Sequence, residues 1–210
     1  MEDDFLWLDD DREPSNPRAG GETFYRIPVA ASFTAGNFDF VVVSTHLTWG
    51  DTDRRRREFR ALRTFLRDED DVEDDYIVLG DMNRYGKFNV GSANKPFNEL
   101  LRGNWQNRYR FPLLEAVTDP DDMTVHFVAT DDQSTTIAQS RNTYDQFIIT
   151  AGAFNEFGTT DPVLGTDVGI IAFDQDAAFT AMGHNGIKYM VSDHRPIWIR
   201  LRIDLPDDDG

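Results

Sequence analysis

Tyr76-Ile77-Val78-Leu79-Gly80-Asp81-Met82-Asn83 is a short apolar run that stops at a glycine and then delivers a carboxylate and a carboxamide two residues apart. Tyr76 to Leu79 are β-formers without polar interruption, which predicts a strand covered on both faces. Gly80 lets the backbone turn sharply or come close to a ligand. Asp81 can hold a hard cation or accept a proton, and Asn83 offers an oxygen acceptor and an NH2 donor suited to a phosphate oxygen. Taken alone, the stretch reads equally well as a polar turn after a strand, because Gly, Asp and Asn dominate turns. The other strand ends of the chain decide between the two.

Upstream, Phe5 to Leu8 is a short strand candidate, followed by a loop from Asp9 to Gly21 rich in Pro, Gly and acidic residues. Phe24 to Phe33 reads as a strand with an early proline, and the Ala35-Gly36-Asn37 turn leads into Phe38 to Thr45, together an antiparallel hairpin. Thr52 or Asp53 caps a helix running to about Arg67, with Phe59, Leu62, Phe65 and Leu66 on one stripe and arginines on the solvated face. The block Arg54 to Arg57 could touch nucleic acid, but beside Asp51, Asp53 and Glu58 it reads better as a salt-bridged surface. The acidic Asp68 to Asp75 loop returns to the Tyr76 strand, so strand, helix and strand form a crossover.

Downstream, Arg84 to Lys95 is a polar loop on the edge of Asp81, and Pro96 opens a short helix through Leu101. Signals are weak from Asn104 to Asp132, apart from a strand at Thr124 to Ala129. Tyr144 to Ile149 is a strand with an early aspartate, and residues 151 to 190 read as an insertion or long connection within one domain spanning 1 to 210. Ile197, Ile199, Leu201 and Ile203 alternate with Trp198, Arg200 and Arg202, the pattern of a strand with one buried face.

A chain of 210 residues, 40% hydrophobic and 12% aromatic, can build a sizeable core. Cysteine is absent, which excludes disulfides, thiolate chemistry and Cys-based zinc sites. The net charge of -17 comes from 29 Asp and 9 Glu against 18 Arg and 3 Lys. Such a surface repels itself in dilute buffer and is screened in concentrated salt, consistent with halophilic origin or with a codon bias toward Asp and Arg. A nucleic-acid substrate would need local arginines or bound cations to outweigh the general field. No long apolar run suggests a membrane span, and Met1-Glu2-Asp3-Asp4 is the opposite of a basic signal-peptide start.

Four strand ends carry polar residues of matching chemistry: Thr45-His46-Leu47, Gly80-Asp81-Met82-Asn83, Thr143-Tyr144-Asp145-Gln146 and Ser192-Asp193-His194-Arg195-Pro196. In this order, with Phe24-Tyr25-Arg26-Ile27-Pro28 ahead of them, they closely resemble the endonuclease/exonuclease/phosphatase superfamily, and its deoxyribonuclease I-like members in particular. The resemblance covers about Glu22 to Leu201, apart from 151 to 190. It implies an α+β fold, a four-layer α/β/β/α sandwich with the site at one end of its two sheets.

By that resemblance, His46 protonates the leaving oxygen or stabilises the transition state, and His194, oriented by Asp145, takes the proton from the attacking water. Asp193 helps bind a divalent metal, with Mg²⁺ favoured over Mn²⁺ or Ca²⁺. Asp81 and Asn83 hold the scissile phosphate or a second metal, and Arg26 contacts a phosphate. The residue types suit the chemistry: phosphoester hydrolysis needs an in-line water, neutralised phosphate oxygens and a protonated leaving group. Imidazole titrates near neutrality, and an Asp partner holds a histidine in one tautomer. His126 and His184 match no motif and read as structural.

In the family an N-terminal half carrying a metal-ligand Glu precedes the Arg-x-Pro strand, and Glu22 lies too near that strand to be this ligand. The chain is therefore expected to be the C-terminal portion of such an enzyme, lacking N-terminal strands and open to self-association or to pairing with the missing half. The leading expectation is a metal-dependent nuclease cleaving phosphodiester bonds. The alternatives are a phosphomonoesterase or phospholipid phosphodiesterase of the same fold, and a catalytically incomplete binding module.

Overall fold

A computed structural model describes residues 5–7, 24–68, 74–83, 99–100, 107–117, 135 and 143–206. Within them, six strands form one mixed sheet in the order β1 (Phe5–Trp7), β2 (Val29–Ala35), β3 (Phe38–His46), β4 (Tyr76–Asp81), β6 (Asp145–Thr150) and β5 (Tyr109–Arg110). Neighbours are antiparallel except β3 and β4, whose parallel pairing is made by the crossover helix α1 (Thr52–Asp68). The expected strand-helix-strand unit is thus present. Tyr76, Ile77 and Val78 are all buried, as an uninterrupted apolar run in a central strand requires.

On α1, Phe59, Leu62 and Leu66 are buried and Phe65 packs edge-on against Tyr76, with ring centroids 5.6 Å apart. Each such side chain contributes on the order of 2 kcal/mol by leaving water. The arginine face differs from its reading as a solvated surface, because Arg55 and Glu58 are interior at 2% and 1% exposure. Both continue the apolar stripe one turn toward the N-terminus. Glu58 is tolerated there because its carboxylate accepts hydrogen bonds from Tyr25 N (3.0 Å), Thr48 N (2.8 Å) and Thr48 Oγ1 (2.8 Å).

The strand read from Phe24 begins only at Val29. Pro28 cannot donate to a ladder, and Tyr25 N is spent on Glu58, so residues 24–28 stand off the sheet. Gly36 makes the β2–β3 turn with φ +65°, and Asn37 N donates to Ile203 O at 2.9 Å, pinning the C-terminal stretch under the hairpin.

A second sheet pairs β7 (Val168–Ile170) with β8 (Ile197–Ile199). β8 is shorter than the alternation to Ile203 suggested, because Arg200 N and Arg202 N donate to Asp167 O and Glu156 O instead of to a strand. The helix α2 (Pro112–Val117) packs on both β6 and β7, linking the two sheets. Residues 151–190 carry β7 and the helices α3 (Phe154–Phe157), α4 (Ala177–Thr180) and α5 (Gly183–Met190), and they place Ala153, Phe157 and Val168 in the core. Glu22, the Arg84–Lys95 loop, most of the Pro96 helix, the Thr124–Ala129 strand and His126 lie outside the described residues, and His184 falls in α5. Among the described residues no helix is long and apolar enough to cross a membrane.

Candidate active site

Strand register builds the site. His46 ends β3 opposite Asp81 at the end of β4, and Asp81 is in turn opposite Asp145 at the start of β6. Three titratable side chains thus stand in one row across three adjacent strands, at the edge where the chain leaves the sheet. Gly80 makes this approach possible: its φ is +126°, and a Cβ there would meet the Thr45 carbonyl oxygen at 2.0 Å. The ladder runs on past the row through Leu47 N to Asp81 O at 2.8 Å and Met82 N to Tyr144 O at 2.9 Å.

His194 arrives from the turn between α5 and β8. Its Nδ1 lies 2.7 Å from Asp145 Oδ2, and its Nε2 lies 3.9 Å from Asp81 Oδ2. Three contacts hold that turn. His194 N donates to Ser192 Oγ at 2.9 Å, Arg195 donates to both Asp174 oxygens at 2.6 and 2.7 Å, and Arg195 N donates to Thr135 O at 2.8 Å. Thr135 Oγ1 also accepts from Asp145 N at 3.2 Å, so one buried threonine ties the two halves of the dyad together. On the other flank, His46 Nε2 lies 3.4 Å from Asp81 Oδ2.

Asn83 adopts φ +49° and is 2% exposed. Its Nδ2 donates to Leu47 O at 2.7 Å and to Asp81 Oδ2 at 3.3 Å, and its backbone N donates to Asp81 Oδ1 at 2.8 Å. Both amide hydrogens are therefore directed at protein acceptors, so the residue braces Asp81 and the segment after His46.

These groups line a cleft of about 640 Å³ with Trp49, Tyr144, Lys188, Ser192 and Asp193. Asp193 stands at its rim, half-exposed, with Lys188 Nζ 3.7 Å from its Oδ2. Arg26 is not among the lining residues; it is exposed and its guanidinium lies 5.4 Å from the Tyr25 ring centroid. Lys188, Trp49 and Tyr144 were not expected. Tyr144 lies within the Thr143-Tyr144-Asp145-Gln146 motif, next to Asp145, whereas a lysine on a short helix carries no signal in sequence.

Burial pushes the Asp81 carboxyl above its ordinary pKa, and the nearby Asp145 charge adds to this; the Asn83 backbone hydrogen bond and the two imidazoles oppose it. The Asp145 hydrogen bond raises the His194 pKa above its usual 6.5, against the opposing effect of burial. Asp81, Asp145 and His194 each offer a ligand atom within 4.8 Å of the others. Two carboxylates and one imidazole, with a half-buried Asp81 carboxyl that a nearby positive charge would relieve, suit a hard divalent cation.

No protein-family model matches the chain, and no curated protein matches it in sequence. Solved structures do. An endonuclease/exonuclease/phosphatase family protein from Bacteroides thetaiotaomicron aligns over 94% of this chain and 61% of its own, with 12% identity and a TM-score of 0.49. A second protein of that description from Beutenbergia cavernae aligns over 94% of this chain and 43% of its own, with 15% identity and a TM-score of 0.46. A conserved protein of unknown function from Enterococcus faecalis aligns over 94% and 64%, with 17% identity and a TM-score of 0.46. The chain spans less than two thirds of the length of each of these proteins. The solved structures that it resembles include members of the endonuclease/exonuclease/phosphatase family.

Proposed function

We propose that this protein is a divalent-metal-dependent phosphoester hydrolase whose preferred reaction is cleavage of phosphodiester bonds in nucleic acid. One observation carries the reading: the Asp145–His194 pair, at 2.7 Å, turns its free imidazole nitrogen toward Asp81 Oδ2 from the β6 side, and His46 approaches the same oxygen from β3. A phosphorus centre held at Asp81 then has a base on one flank and an acid on the other, as an in-line displacement requires.

His194 Nε2 takes a proton from the attacking water, and Asp145 stabilises the imidazolium that forms and fixes the tautomer. His46, on the opposite flank, gives a proton to the departing oxygen. Asn83 braces Asp81, which positions the phosphate and water. With Asp145 and His194 engaged as the base pair, a divalent cation, Mg²⁺ by preference with Mn²⁺ or Ca²⁺ as substitutes, would be held by Asp81 with Asp193 of the same cleft and would supply neutralisation of the phosphate oxygens. We read the β7–β8 sheet as this chain's share of the second layer of a four-layer sandwich.

The test is a screen of the purified protein against plasmid DNA, RNA, sphingomyelin and inositol phosphates with Mg²⁺, with Mn²⁺ and with EDTA. Metal-dependent cleavage of DNA or RNA is expected. Turnover of only the lipid or the monoesters would move the substrate class, and failure on every substrate would leave a binding module.

A further inference from the structure

We propose that Tyr25, Arg26, Arg54 and Trp49 form a binding surface beside the cleft for a single nucleic-acid strand, taking its phosphates on the arginines and its bases on the aromatic rings. This rests on the hydrolase reading and deepens it by making the substrate a polymer. Arg54 and Arg26 both lie over the Tyr25 ring, with guanidinium carbons 4.9 and 5.4 Å from its centroid. The ring is 62% exposed, and Trp49 is 67% exposed. Among the described residues neither guanidinium pairs with a carboxylate, and Arg54 Nε is buried without a hydrogen-bond partner.

Of the neighbouring arginines, Arg55 is interior and donates to Thr48 O at 2.9 Å, and Arg56, whose Nε is likewise buried without a hydrogen-bond partner, faces Asp53 at 3.9 Å. Two like charges on one ring repel each other, a cost that an incoming phosphate relieves.

The patch adjoins the site through Glu58. That carboxylate accepts from Tyr25 N and from Thr48 N, which brings the residue bearing the stacked ring beside the residue preceding Trp49. Trp49 and His46 line the cleft together. A chain of net charge -17 repels a polyanion at long range, so a strand needs cations gathered next to the acidic row, together with exposed π-faces on which bases stack. A small phosphomonoester seated in the cleft has no use for such a surface.

The test is fluorescence anisotropy with labelled single-stranded DNA and RNA of roughly 12 nucleotides, titrated in EDTA at several salt concentrations. Arg26→Gln and Arg54→Gln should each weaken binding about tenfold and lower the log–log salt slope by about 1, whereas Trp49→Leu should weaken binding and leave the slope unchanged. Arg202→Gln, which makes the same change of charge at the opposite end of β6, should alter neither quantity. The DNA and RNA arms show which sugar is preferred. Absence of strand binding by the wild type, or equal losses in Arg202→Gln, overturns the inference. Hydrolysis of bis(p-nitrophenyl) phosphate with Mn²⁺ is measured in parallel. An active wild type with indifferent arginine variants overturns the strand surface alone, and an inactive wild type that binds through the patch overturns the hydrolase reading alone.

Discussion

His194 presents one ring nitrogen to Asp145 at 2.7 Å and the other to Asp81 at 3.9 Å. A single imidazole therefore links two carboxylates that face each other across β4 and β6. The first contact fixes the tautomer, and the second aims the free nitrogen at the row where a phosphate would sit.

His194→Ala and Asp145→Asn should each lower turnover by on the order of 10² or more while the melting temperature stays close to that of the wild type. Base and orienting carboxylate act as a unit, so the double variant should be little worse than the worse single one. Losses that multiply would show that the two residues act independently.

The pH dependence follows from the direction of the His194 shift. Because its folded pKa is raised above 6.5, the neutral base forms only at higher pH, and the acid limb of kcat/KM should lie above that value. Asp145→Asn removes the raising hydrogen bond and should move the limb downward. The sign for stability is opposite to that for activity: the contribution of the charged pair is fully present below the unfolded histidine pKa and is lost as pH rises through the folded one. An acid limb that stays in place in Asp145→Asn would separate it from His194.

The row His46, Asp81 and Asp145 was legible in the sequence because each residue ends or begins a plain apolar run, and β-strands put run ends together at one sheet edge. The crossover was legible for the same reason, through the stripe of Phe59, Leu62 and Leu66. What supports the row was not. Thr135 and Asp174 lie in stretches without periodicity, and they matter through backbone carbonyls and a bidentate arginine that only the folded chain brings near. The resemblance implies that Arg26 contacts a phosphate. Yet Pro28 and the Tyr25–Glu58 bond hold that segment off the sheet, so the arginine stacks on Tyr25 outside the cleft lining.

Activity should require a divalent cation, since a half-buried Asp81 of raised pKa stands beside Asp145 while the lysine lining the cleft, Lys188, lies against Asp193. Mg²⁺ or Mn²⁺ should raise the melting temperature in the absence of substrate, and Asp81→Asn should abolish most of that rise. Full activity in excess EDTA, or an undiminished rise in Asp81→Asn, would remove Asp81 from the metal site.

The last expectation concerns Glu58, which touches none of the reacting groups. Its carboxylate holds Thr48 by backbone and hydroxyl, Leu47 O in turn receives the Asn83 amide at 2.7 Å, and Asn83 braces Asp81. Glu58→Ala leaves two buried donors on Thr48 and a part-buried one on Tyr25 without an acceptor, at a cost of about 1–3 kcal/mol for an unsatisfied buried group, so a loss on the order of 3 kcal/mol in urea unfolding is expected. Glu58→Gln keeps one oxygen for Tyr25 N and Thr48 Oγ1 but turns an NH2 toward Thr48 N. It should therefore fall between the wild type and the alanine variant. Under conditions where both variants remain folded, kcat should drop in the same order, because the segment carrying His46 loses its seat against Asp81. A fully active, fully stable Glu58→Ala protein would mean that the ladder bond from Leu47 N to Asp81 O is by itself enough to place His46.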